Sequence, residues 1–112
     1  MGDLIRHVLA LDLVDDEKSI ATYEAYHRNV WPEVIESIKS SGIHHMEIYR
    51  AGNRLFMIME VDDSFSFQKK KEADTINPKV QEWEALMWEY QRAIPAAKPG
   101  DKWVIMDKIF DL

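Results

Sequence analysis

The sequence predicts an α+β fold of βαββαβ order, with both helical crossovers split in two. Three observations carry this expectation. Residues 4–13 alternate as a strand does, two β-rich segments flank Ala51-Gly52-Asn53, and the stretches between strands repeat their apolar residues at helical spacing.

In "LIRHVLALDL" (4–13), Ile5, His7, Leu9, Leu11 and Leu13 fall on one face, and Arg6, Val8, Ala10 and Asp12 on the other. Residues 15–29 read as a helix, with Asp15 or Asp16 as N-cap and Ile20, Tyr23, His27 and Val30 on one face. Pro32 disfavours helical geometry at Trp31, so the chain breaks there. Proline suits a first helical turn, so "PEVIESIKSS" restarts as a second helix that Gly42 stops. "GIHHMEIYR" and "RLFMIMEVDD" then form a hairpin. The second strand is apolar on both faces, which places it centrally. "SFSFQKKKEAD" reads as a short helix capped by Ser64, and "NPKVQEWEALMWEYQRAI" as a long one opened by Asn-Pro. "PAAKPGDK" is a loop, and "WVIMDKIFDL" is expected as the fourth strand.

This order is the ferredoxin-like arrangement: an antiparallel four-stranded sheet with helices on one face. The double-sided apolar character of 55–61 says the other face is buried too. A second copy of the chain is the simplest cover, so a homodimer is expected.

At 112 residues, with 46% hydrophobic and 30% charged residues, the chain reads as a single globular domain over 1–112. A net charge of −6 argues against nucleic acid and anionic membranes as partners. The absence of cysteine removes thiolate nucleophiles, thiolate metal sites and disulfides, and fits a reducing cytoplasm. The N-terminal apolar stretch, interrupted by Arg6, His7 and Asp12, is too short and charged for a signal peptide or membrane span.

Tyr23, His27 and Trp31 are spaced by four, the step that puts helical side chains on one face. Together they offer donors, an acceptor and flat apolar surfaces, the combination that binds sugars. An imidazole both gives and takes a proton near neutral pH. Spacing alone leaves two readings open: His27 as a half-buried, satisfied packing residue, or as a proton-transfer group. His44 and His45 point to opposite faces of a strand, and neither they nor His7 and Glu47 match a metal-ligand spacing. Trp83, Trp88 and Tyr90 read as core on an amphipathic helix, with Trp83 and Trp88 facing differently; Trp103 reads as core or interface. The chain contains no phosphate loop, nucleophile elbow or HExxH motif.

The chain resembles the L-rhamnose mutarotase family over nearly its whole length. The resemblance runs from Ile5-Arg6 through Tyr23-x-x-x-His27-x-x-x-Trp31-Pro32-Glu33, "IKSSG" (38–42), Ile48-Tyr49 and Ile94-Pro95 to Phe110-x-Leu112. It implies a dimeric α/β barrel that interconverts the anomers of a 6-deoxy-hexose without metal or cofactor. It also implies that His27 is the proton-transferring histidine and that Tyr23 contacts the sugar. The family's tandem tryptophan falls on Trp83-Glu84 and a sugar-contacting strand tyrosine on Met46, so the substrate-binding set would be Tyr23, Trp31, Met46, Trp83 and Glu84. Both departures lie around the substrate, which points to a related sugar such as L-fucose or to altered affinity for L-rhamnose. The base that partners His27 stays open among Tyr23, Glu84 and water. Two rivals carry different predictions: a ferredoxin-like monooxygenase or haem-binding enzyme, and a non-catalytic ligand-binding dimer module.

Overall fold

The computed structural model describes residues 3–112. In chain order the elements are β1 (Ile5–Leu13), α1 (Glu17–His27), α2 (Pro32–Ser40), β2 (Ile43–Ala51), β3 (Arg54–Val61), α3 (Phe67–Thr75), α4 (Pro78–Trp88), β4 (Gln91–Arg92) and β5 (Val104–Ile105). The sheet is antiparallel with order β2-β3-β1-β4, and β5 also pairs with β1. This is the expected ferredoxin-like arrangement with split crossovers. Among the described residues no helix is long and apolar enough to cross a membrane.

Local chemistry sets most boundaries. Asp16 caps α1, accepting from the Ser19 backbone N–H at 2.9 Å. Pro32 opens α2 behind an extended Trp31, and Asn77 caps α4 ahead of Pro78. Gly42 stops α2 with φ of +99°, and a Cβ there would lie 2.7 Å from Asp62 Oδ1. The hairpin turns through Gly52 at φ of +60°.

The register sorts the sheet into two faces. Leu9, Leu11 and Leu13 lie with Leu55, Met57, Met59 and Val61 on the helix-covered side. One buried cluster there joins Leu13, Tyr23, Val34, Leu55, Trp83 and Met87; a second joins Leu9, Ile43, Met59 and Val61. Ile38 and Trp103 pack against both, which makes Trp103 a core residue. Fully burying a leucine such as Leu11 stabilises by about 2 kcal/mol. The opposite face carries Val8, Ala10, Phe56 and Ile58, bordered by the pairs Arg6–Glu60 and Arg54–Asp12. None of these four apolar residues packs into either core cluster.

Three boundaries differ from expectation. Helix α3 is capped by Ser66, whose hydroxyl accepts from the Lys69 N–H; Ser64 instead gives its N–H to the Asp62 carboxylate in the preceding turn. Helix α4 ends at Trp88, because Gln91 pairs with Leu13 and Tyr90 accepts the Val14 N–H, so sheet contacts displace a helical turn. The expected fourth strand over 103–112 is reduced to Val104–Ile105, and β4 occupies the rest of that edge of β1. The Met106 N–H still reaches the Val8 carbonyl at 2.7 Å; beyond it Asp107 and Lys108 break the apolar alternation, and Ile109 and Phe110 are 94% and 75% exposed.

Candidate functional site

Helix α1 presents Tyr23 and His27 one turn apart. Their rings lie 4.4 Å apart, and His27 Nδ1 is 2.9 Å from the Tyr23 carbonyl oxygen. A carbonyl oxygen only accepts, so the Nδ1 proton is fixed by its own helix and Nε2 is the nitrogen left for exchange. Trp83 of α4 meets the imidazole edge-on at 5.6 Å and Trp31 at 5.2 Å. Tyr26 packs on Trp83 and Tyr90 at centroid distances of 6.3 and 6.1 Å. Tyr23 and His27 stack one turn apart, and the buried Trp83 links the imidazole to Trp31.

A cleft of about 440 Å³ opens between α1 and β2. Buried Tyr23 and Leu55, with Ile48, form its floor. His27, Glu24, Arg28, Tyr49 and Arg50 form its walls. Arg50 Nε donates to Glu24 Oε1 at 2.5 Å, and its Nη1 donates to the Gly52 carbonyl at 2.8 Å, bridging α1 to the hairpin. At the far end, Tyr49 donates to Glu47, which also takes His45 Nε2 at 2.7 Å. The hydrogen bond from Tyr49 holds the Glu47 carboxyl below the usual range, with His45 adding to the effect.

The Tyr23 hydroxyl is turned inward, where it accepts from Gln91 Nε2 at 3.0 Å. Burial pushes this phenol above its ordinary pKa, partly opposed by the Gln91 bond, so it stays protonated at neutral pH. Gln91 is itself only 5% exposed. Sequence reasoning missed Gln91, Glu24 and Arg50. Each is placed by a partner on another element, which leaves no local signal in the sequence.

Of the residues expected to bind substrate, Tyr23 lines this cleft and Trp31, Met46, Trp83 and Glu84 do not. Met46 is half-buried on β2, paired with Met59 and packed on the second core cluster. Glu84 lies 4.0 Å from Lys102 Nζ and 3.4 Å from Gln81 Nε2. Trp88 turns the other way from Trp83 and sits under Lys102 Nζ, 5.0 Å from the ring centroid. His44 pairs with Asp62 at 2.6 Å and His45 with Glu47, and no group of three possible metal ligands occurs among the described residues. A larger cleft of about 810 Å³ lies between α2 and α3 beside the Lys70–Asp74–Ser37 contacts; its lining holds no aromatic ring and no histidine, so the smaller cleft is the better candidate for proton chemistry.

Known proteins share this architecture and sequence. The family model for L-rhamnose mutarotase matches residues 6–112. An L-fucose mutarotase of Xanthomonas campestris pv. campestris is 46% identical over 104 residues, covering 91% of this chain and 83% of that protein. An L-rhamnose mutarotase of Oceanobacillus iheyensis is 29% identical over 87 residues, 76% of each chain. The crystal structure of an L-rhamnose mutarotase from Formosa agariphila superposes with a TM-score of 0.69 at 21% identity, over 96% of this chain and 98% of that one. The ring wall around His27 thus stands in a chain matched from β1 to its end, and the chain belongs to the L-rhamnose mutarotase family.

Proposed function

We propose that the chain is a sugar mutarotase interconverting the α and β anomers of an L-6-deoxy-hexose, with His27 as the acid. The observation that carries this is the bond between His27 Nδ1–H and the Tyr23 carbonyl, 2.9 Å long. It leaves Nε2 as the one exchangeable site of the ring, beside the cleft.

In the forward step His27 acts as the imidazolium, keeping its Nδ1 proton on the Tyr23 carbonyl while Nε2 delivers the other to the ring oxygen as the C1–O5 bond breaks. A base takes the proton of the anomeric hydroxyl, and the electron pair forms the aldehyde C=O. Rotation about C1–C2 and the reverse transfers close the other anomer. Nothing is oxidised and both protons return, so acid and base suffice.

L-Fucose is the leading substrate and L-rhamnose the second. The 46% identity to an L-fucose mutarotase, against 29% to an L-rhamnose mutarotase, supports this order. Tyr23 is the aromatic floor of the sugar site, while Trp83 supports the His27 ring and Trp31 packs on Trp83, both outside the cleft lining. Met46 and Glu84 lie outside the cleft, on β2 and α4, so the choice of sugar falls to the side chains that line it, Ile48, Tyr49 and Arg50 among them. The face of Val8, Ala10, Phe56 and Ile58 takes a second copy of the chain, so the working unit is a homodimer; its apolar centre and charged border support this.

Saturation-transfer NMR on L-fucose, L-rhamnose and D-galactose tests the proposal. Anomer exchange above the buffer rate for a 6-deoxy sugar is expected, falling about 100-fold or more in His27→Ala. Exchange that survives this substitution removes His27 from the chemistry.

A further inference from the structure

The base that partners His27 has an occupant in the cleft. Tyr23 has its hydroxyl on Gln91 and holds its proton, and Glu84 lies outside the cleft against Lys102. Glu24 is the one carboxylate among the cleft-lining residues. It precedes His27 by three residues on α1, a spacing that puts the two side chains on neighbouring positions of one helix face, about 5–6 Å apart at Cβ. The anomeric oxygen and the ring oxygen of a pyranose share one carbon, so acid and base must converge from such close quarters. Arg50 engages Oε1 of Glu24, and the Arg50 guanidinium is itself anchored on the Gly52 carbonyl. The pair engages Oε1 and leaves Oε2 to accept.

We infer that Glu24 is the catalytic base of the mutarotase reaction, an inference that rests on the mutarotase reading above. Glu24 Oε2 takes the proton from O1–H while His27 Nε2 gives one to O5 and the C1–O5 bond breaks. On closure the Glu24 proton returns to oxygen at C1 and His27 recovers its own. The groups facing Glu24 are Arg50 and Tyr49 of β2 and His27 and Arg28 of α1.

The test compares wild type, Glu24→Gln and Glu24→Ala by saturation-transfer NMR on L-fucose and L-rhamnose. Glu24→Gln keeps an acceptor for Arg50 but loses the base; kcat should fall about 100-fold with KM nearly unchanged. Added acetate should restore Glu24→Ala in proportion to its concentration, above the rate acetate gives with no enzyme. A structural role in the ion pair would give no such rescue. Wild-type exchange together with an unimpaired Glu24→Gln, or an Ala variant that acetate does not restore, overturns the base while leaving the mutarotase reading intact. A wild-type chain that exchanges none of the sugars overturns both.

Discussion

Gln91 and Tyr23, separated by 68 positions in the chain, are joined by a hydrogen bond of 3.0 Å that ties β4 to α1. Both residues are buried, so neither group has water as a substitute partner. The same Tyr23 supplies the carbonyl that fixes His27, which makes the glutamine a remote support of the imidazole.

Replacing Gln91 with Leu leaves the Tyr23 hydroxyl buried without its donor, a cost of about 1–3 kcal/mol. Tyr23→Phe leaves the amide unpaired and should cost a similar amount. The double variant removes both polar groups and should lose less than the sum of the two. Urea unfolding of the four proteins gives the coupling energy, and strict additivity would deny the bond any energetic role.

Asp62 is predicted to make stability fall in acid. The hydrogen bond from the Ser64 hydroxyl, then that from His44, lowers its carboxyl from 3.8 to about 2 in the folded chain. The folded-state pKa is depressed, so the contribution is present above the unfolded value and is lost as pH falls through the window from 3.8 to about 2. Asp62→Asn should lack that component. Denaturation midpoints of the two proteins, taken from pH 6 down to pH 2, should therefore converge; a constant gap would contradict the assignment.

Gly42→Ala should destabilise by about 1 kcal/mol or more, because φ of +99° disfavours any side chain and the new Cβ would meet Asp62 and Ser64. Thermal melting measures the loss. The same substitution at Gly52, where a Cβ meets nothing within 4 Å, should cost less.

Ile58 sits at the centre of the sheet face that carries no helix. Ile58→Lys places a charge where a second copy is proposed to pack, and sedimentation should show a monomer that retains the wild-type circular dichroism. A dimer that persists through this change would move the interface elsewhere.

What the sequence disclosed follows the range of the interactions involved. Helix α1, the hairpin and the Tyr23–His27 pairing are decided by residues within four positions of one another, and alternation and spacing expose them. The central place of β3 was legible because both of its faces are apolar. Trp83 was legible as core but not as the ring against His27, because that contact joins α1 to α4. The helix expected through Gln91 gave way to a strand whose partner, Leu13, lies far back in the chain. The Glu24–Arg50 pair spans 26 positions and two kinds of element, and no periodicity signals it. The last strand is shorter than its β-forming residues suggest because the charges at Asp107 and Lys108 interrupt the apolar alternation.

The bond from His27 to the carbonyl one turn before it has an evolutionary consequence. The orientation of the imidazole is set inside a single helical turn, by a backbone atom that every amino acid possesses at that position. Substitutions elsewhere in the cleft can therefore reshape its walls while the ring keeps its direction. A lineage could rework the β2 side of the cleft again and again and never have to re-aim the imidazole.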